Sequence, residues 1–304
     1  QDSFSVKTAL SDIRTISHLN DENPIALCFS QPNENDSKVV HFRVFNHGSP
    51  LPLSDVIPVL ERMNLKVIGE HPYKINKAEK SIWLHDFLLH TRLDEGVQLG
   101  DVRALFEDAF TNIWQRSVEN DFFNGLVLSA QLSWRDVGVL RAYAAYMKQI
   151  TFPFSKHAII KTLMAYPVLS QKIVELFYLR FDPSMDSQSS KRDYYQLKDT
   201  VCEELDTVAN LNDDRILRQY IALIEGTVRT NYFQQVDGQY KEYISLKMSP
   251  RSIPDIPEPR PLYEIFVFSN RVEGVHLRGG KVARGGLRWS DRTEDFRTEV
   301  LGLV

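Results

Sequence analysis

Arginines at 271, 278, 284 and 288 surround two Gly-Gly steps, Gly279-Gly280 and Gly285-Gly286, in the stretch RVEGVHLRGGKVARGGLRWSDRTEDFRTEVLGLV, residues 271–304. Backbone without a Cβ can bring its N–H groups close to a small ligand. A guanidinium offers a planar fork of donors matched to a carboxylate. Together they point to a pocket for a small acid. The same residues have a plainer reading: two hairpin turns, with the arginines in surface ion pairs to Asp291, Glu294, Asp295 and Glu299. The local basic excess (Arg271, Arg278, Lys281, Arg284, Arg288, Arg292, Arg297) also raises RNA binding. Acidic residues interleave it, and Trp289 is the single exposed-aromatic candidate, so a stacking platform is poorly supported.

Elsewhere the chemistry-bearing residues are scattered. His71 and His85 are single histidines in strand-like contexts and lack the paired spacing of a metal site, so no metal is expected. Tyr143, Tyr146, Tyr194 and Tyr195 fall at helical spacing, the ordinary pattern of core or interface aromatics. Arg135, Arg141, Lys148, Lys156 and Lys161 lie among carboxylates and apolar residues, as on a solvated face. Cys28 and Cys202 sit far apart in apolar or helical patterns and read as buried thiols of a reducing compartment, not as a disulfide.

Composition bounds the partners. The chain has 304 residues, room for two or three domains, and a net charge of −4. That charge gives no general pull toward nucleic acid or anionic lipid. No run of about 18 apolar residues occurs, so no membrane span is expected. The start, QDSFSVKTALSD, lacks a basic segment followed by an apolar core, so no signal peptide is expected and a cytoplasmic location is.

The elements that must position the arginines read as three regions. Over 1–95, a helix near 4–18 is followed by strands at 25–30 and 39–45, the second with Val40, Phe42 and Val44 on one face and His41 and Arg43 on the other. A helix carrying Leu53, Val56, Ile57 and Leu60 follows, with Ser54 as the expected N-cap, then strands at 65–73 and 81–90. This is an α/β sandwich. Over 96–235 the period is helical. Val102, Leu105, Phe106, Ala109, Phe110, Ile113 and Trp114 form one stripe. Ser133 is expected to cap the helix of Val137, Leu140, Ala144 and Met147. Further helices are expected at 158–165, 171–181, 191–208 and 213–232, with 186–190 (DSQSS) as a surface loop and Val228 in the last buried stripe. Over 236–304, strands are expected at 243–248 and 262–269, joined by a proline-punctuated connection, and 274–277 continues the sheet. Asp291 and Glu294 stand where a capping box would start a final helix. The fold class is therefore α+β and multidomain.

Two stretches carry a family resemblance. PLPLSDVIPVLERMNLKVIGEHPY, residues 50–73, resembles the ACT-like (ferredoxin-like) modules that precede the catalytic part of the large NAD-specific glutamate dehydrogenases. VEGVHLRGGKVARGGLRWSDRTEDFRTEVLGLV, with the run back to Tyr263, looks like the beginning of the α/β catalytic domain of that family. With the helical region between them, the resemblance covers most of the chain in family order.

The resemblance implies oxidative deamination of L-glutamate to 2-oxoglutarate and ammonia with NAD as cofactor. Smaller glutamate dehydrogenases carry Lys-Gly-Gly-x-Arg here, and the lysine holds the substrate's side-chain carboxylate. This chain has Arg284-Gly285-Gly286-Leu287-Arg288, so Arg284, Gly285, Gly286 and Arg288 become the substrate-binding candidates, with arginine in the lysine's place. Such chemistry also needs a lysine of lowered pKa and a glycine-rich dinucleotide fold. No Gly-x-Gly-x-x-Gly occurs here, and Lys281 has the context of an exposed turn. No catalytic or cofactor-binding residue is therefore assigned within the chain: the family's catalytic lysine and its NAD-binding domain are expected beyond Val304, and this piece alone is expected to be inactive. Homo-oligomerisation of the full enzyme is also implied. The alternative is a regulatory and oligomerisation module binding an amino-acid effector through the ACT-like part.

Overall fold

The computed structural model describes residues 6–30, 38–77, 80–91, 99–289 and 296–302. The chain divides into two compact units, residues 1–114 with 120–129 and residues 115–119 with 130–304.

The first unit begins with α1 (Val6–His18), then β1 (Ile25–Ser30), β2 (Val39–His47), α2 (Leu53–Arg62), β3 (Leu65–Lys77), β4 (Lys80–Thr91) and α3 (Leu99–Trp114); a 3-10 turn leads into the short α4 (Leu126–Ser129). The strands form one antiparallel sheet in the order β1-β2-β4-β3. The run from β2 to α3 is β-α-β-β-α, and the remaining strand of a ferredoxin-like sheet comes from ahead of it as β1. Val40, Phe42 and Val44 are fully buried, as their alternation requires. Phe106 of α3 stacks on Phe29 at 4.3 Å and meets Phe42 edge-on at 5.1 Å. The other face of β2 is also covered. Phe45 is buried with Leu19, Ile82 and Leu84, and Ile16 of α1 packs against them. Arg43, only 5% exposed, pairs with Asp12 of α1. A charged residue in a strand thus marked an ion pair under a helix and not a solvated face.

Ser54 does not cap α2. The N-cap is Pro52, with no side-chain cap bond, and the Ser54 hydroxyl turns to Asp55 instead. His85 is a satisfied core histidine. Its Nε2 accepts the Leu51 N–H at 3.0 Å, so Nδ1 carries the proton toward Glu70 at 2.7 Å.

The second unit holds α5 (Trp134–Gln149), α6 (Lys156–Ala165), α7 (Pro167–Phe181), α8 (Ser187–Leu205) and α9 (Leu211–Gly226). β5 (Thr227–Thr230), the small β6–β7 ribbon (Gln235–Val236, Gln239–Tyr240), β8 (Ile244–Met248), β9 (Tyr263–Phe268), β10 (Val272–Arg278), β11 (Ala283–Trp289) and α10 (Phe296–Leu301) complete it. The main sheet is antiparallel in the order β11-β10-β9-β8-β5, which leaves β11 on an edge.

Ser133 caps α5 as expected. Its side chain accepts from Asp136 N, and Asp136 returns the bond to the Ser133 N–H. Two boundaries differ from the sequence reading. The DSQSS segment is not a loop: Asp186 accepts from Ser189 N as an N-cap, and the serines form the first turn of α8. The helix expected to run to 232 stops at Gly226, because residues 227–230, with β-branched Thr227, Val228 and Thr230, join β8 as strand β5. Val228 is consequently 48% exposed and not part of a buried stripe. A Cβ on Gly226 would lie 2.2 Å from the Ile253 side chain, so the turn out of the helix needs a glycine. Arg141 is also corrected. It is 2% exposed on α5 and pairs with Glu119 at 3.7 Å, so it is no part of a solvated face. Tyr143, Tyr146 and Tyr194 are buried, and Tyr195 is half exposed.

Candidate substrate-binding site

The two Gly-Gly steps have different structural roles. Gly279-Gly280 lies in the β10–β11 turn. The Gly279 N–H donates to Val282 O at 3.1 Å, and Gly280 has φ +139°, in the glycine-favoured range. Gly285-Gly286 is no turn. It lies inside β11, opposite His276 and Val275 of β10.

Register sorts the arginines. Residues directly opposite in an antiparallel pair share a face. Arg284, Gly286 and Arg288 stand opposite Leu277, Val275 and Glu273, all three buried. Gly286 lies on the face toward α10, where a Cβ on it would meet the Phe296 ring at 3.0 Å. Gly285 and Leu287 stand opposite His276 and Gly274 on the other face. That face holds a shallow cavity of about 270 Å³ with Ile265 and Val267 in its floor.

Arg284 is exposed, and its Nη1 donates to its own neighbour's carbonyl, Ala283 O, at 3.0 Å. Among the described residues it makes no ion pair. Arg278 turns back on its own hairpin, Nε donating to Gly280 O at 3.2 Å. Lys281 is exposed in the turn. The side chain of Arg288, the expected capping box at Asp291 and Glu294, and the proposed acidic partner Asp295 lie outside the described residues. Among the described residues no group of three or more His, Cys, Asp or Glu could hold a metal ion, and no helix is long and apolar enough to cross a membrane.

Gly285 has a strict steric role. A Cβ there would lie 2.8 Å from Val275 O and 3.0 Å from His276 Cα. Both are backbone atoms of the neighbouring strand and cannot swing aside. Gly285→Ala is expected to cost about 1–3 kcal/mol as an overpacking change. Faster amide hydrogen exchange in β10 and β11, with Gly100→Ala as the control, would show it. Gly100 has open space at its Cβ position.

Beneath this hairpin lies a buried polar network. The Arg297 guanidinium grips Glu264 through Nε at 2.9 Å and Nη2 at 2.5 Å. The Tyr146 hydroxyl donates to the other Glu264 oxygen at 2.7 Å. Gln149 Nε2 donates to Glu273 at 2.9 Å, and Gln149 Oε1 accepts the Arg297 N–H at 3.0 Å. Every one of these side chains is buried. Burial, then the Glu264 charge, pushes the Tyr146 phenol well up, so it stays a hydrogen-bond donor. The sequence reading placed none of these residues in a site. One signal was available: in LYEIFVFS the two-residue period puts Glu264 on the same face as Phe266 and Phe268, and a carboxylate buried there needs partners.

Comparison with known proteins agrees with this layout. Residues 24–102 match the family model "Glutamate dehydrogenase, ACT3 domain", residues 118–183 "Glutamate dehydrogenase, helical motif 3", and residues 200–304 "Bacterial NAD-glutamate dehydrogenase, catalytic domain". The chain is 47% identical to the NAD-specific glutamate dehydrogenase of Halomonas elongata, over 100% of this chain and 19% of that protein. It is 44% identical to that of Pseudomonas aeruginosa, over 99% of this chain and 19% of that protein. With that of Mycobacterium tuberculosis it shares 40% identity, over 97% of this chain and 18% of that protein. The chain thus spans about a fifth of the length of the curated relatives it matches. Three consecutive family models and identity along the whole chain agree: the chain belongs to the NAD-specific glutamate dehydrogenases, as a segment made of the ACT3 domain, helical motif 3 and catalytic-domain sequence.

Proposed function

We propose that the polypeptide containing this segment carries out NAD-dependent oxidative deamination of L-glutamate to 2-oxoglutarate and ammonia in the cytoplasm. Within it, Arg284, Gly285, Gly286 and Arg288 belong to the substrate-binding segment, and Arg284 holds the substrate's side-chain carboxylate. One observation carries the site reading: Arg284 is an exposed guanidinium without an ion pair among the described residues, on a strand whose next two positions are glycines. A guanidinium with no acidic partner among the described residues, beside bare backbone, is suited to a carboxylate. NAD, when bound, accepts the hydride from the substrate's Cα. The residues described here bind and orient the acid, and the catalytic lysine and the dinucleotide-binding fold belong to other parts of the polypeptide.

Arg284→Ala in the full-length enzyme is expected to raise KM for glutamate about 10- to 100-fold, the loss of a charge-assisted contact of about 1.5–3 kcal/mol. KM for NAD should move less than about twofold. Steady-state kinetics with each substrate varied in turn checks this. An unchanged KM for glutamate removes Arg284 from the site.

A second reading is favoured by the ACT3 match of residues 24–102: this module binds an amino-acid effector and helps the enzyme assemble. Calorimetric titration with glutamate and other amino acids tests it. Heat of binding that survives Arg284→Ala belongs to the module, and its absence for every amino acid tried counts against an effector.

A further inference from the structure

We propose that Gln149 is a positioning residue for substrate binding, acting from the helical motif on the catalytic-domain strand. The inference rests on the carboxylate-binding reading of residues 284–288. Gln149 is 1% exposed at the last position of α5, and both ends of its amide are used. Its N–H holds the Glu273 carboxylate on β10, and its carbonyl accepts the backbone N–H of Arg297 on α10. Only a group with a donor and an acceptor at one tip can span the two. The span matters because of what stands at each end. Glu273 is opposite Arg288 in the β10–β11 ladder. Arg297 follows Phe296, whose ring lies 3.0 Å from where a Cβ of Gly286 would be. Gln149 therefore ties α10 to the strand that pairs with Arg288, and sets how closely α10 approaches Gly286.

A purely structural role would respond to any loss of packing. A positioning role through this amide has a chemical signature. Gln149→Glu keeps the shape. When protonated, the new carboxyl can donate to Glu273 and accept from Arg297 N, as glutamine does. When ionised, it loses the donor and faces the Glu273 charge. Burial and that like charge both raise its pKa. Among the described residues, the other charged or titratable groups around it are Arg297 on α10, already gripping Glu264 of β9, Tyr146 of α5, and Glu258, which lines the same small cavity as Gln149 and Arg297.

The experiment measures KM for glutamate and for NAD in the full-length enzyme, as ratios to wild type at about pH 6 and about pH 9. For Gln149→Glu the expected glutamate ratio is near one at the lower pH and about tenfold at the higher, with the NAD ratio within about twofold throughout. Gln149→Met, which cannot titrate, should show the raised glutamate KM at both. The inference is overturned by a glutamate ratio that is pH-independent in Gln149→Glu, by equal rises in both KM values, or by failure of both variants to give soluble enzyme. Arg284→Ala is run alongside. If it leaves glutamate KM unchanged, the carboxylate reading fails and this inference with it. If it raises KM while the Gln149 variants behave as wild type, this inference alone fails.

Discussion

Arg297→Met is expected to destabilise the second unit by about 3–5 kcal/mol, because it leaves the Glu264 carboxylate buried without its cation. The pair is 2% and 1% exposed, so solvent cannot replace the lost partner. The desolvation cost of the two charges is offset only while both are present. Removing the charges together therefore behaves differently. In the triple variant Tyr146→Phe, Glu264→Leu, Arg297→Met no buried donor or acceptor of the Tyr146–Glu264–Arg297 set is orphaned among the described residues, and most of the loss should return. The Gln149 contact to the Arg297 backbone N–H survives in it, because that bond does not use the arginine side chain. Amide hydrogen exchange at β9 and α10 reads the effect locally, which matters in a chain of two units where a single unfolding transition is not assured. A single variant as stable as wild type would show that the pair carries no burial penalty.

Phe106→Ala should be nearly as damaging in the first unit, at about 3–5 kcal/mol. Phe106 is fully buried, stacked on Phe29 and edge-on to Phe42, with Phe110 at 6.3 Å. It joins α3 to the middle of the sheet, so the void opens between the helix and β1–β2. Neighbouring rings are themselves locked against Phe87 and Trp114 and have little freedom to collapse inward. Loss of exchange protection in α3 and β2 is the expected observation, and a cost below about 1 kcal/mol would contradict it.

Much of the first unit was legible because two periods sufficed. Val40, Phe42 and Val44 alternate, and Phe106 and Phe110 recur on a helical face; the sequence reading gives both elements but puts this helix in the region from 96 on, and only the ring contacts to Phe29 and Phe42 show it against the sheet. Covering of the second sheet face was not legible: it depends on Asp12 finding Arg43, a contact between residues 31 apart in sequence. The end of α9 was missed because Thr227 and Val228 fit either a helical stripe or a strand, and pairing with β8 decided between them. The first turn of α8 was missed because Asp186 and the serines are loop residues by composition and capping residues by position.

The site divides the same way. Its residue types suggest an acid-binding segment as well as two plain hairpin turns, and the family likeness favours the first and implies glutamate as the acid. What no local pattern contained was the register. Only the pairing of Leu277 with Arg284 and of Val275 with Gly286 shows that Arg284 shares a face with Gly286, away from Gly285. The polar network beneath is non-local for a simpler reason: Gln149 is 124 residues from Glu273 and 148 from Arg297. Nothing in the local sequence distinguishes Gln149 from any polar residue at the end of a helix.

The side-chain carboxylate of glutamate is the feature Arg284 is held to recognise, and norvaline lacks that carboxylate while keeping nearly the same length. The most direct measurement is therefore the ratio of kcat/KM for glutamate to that for norvaline, in wild type and in Arg284→Ala of the full-length enzyme. The account predicts that the ratio falls about 10- to 100-fold in the variant, through glutamate alone. A ratio that stays the same, with both substrates affected alike or neither affected, would contradict it.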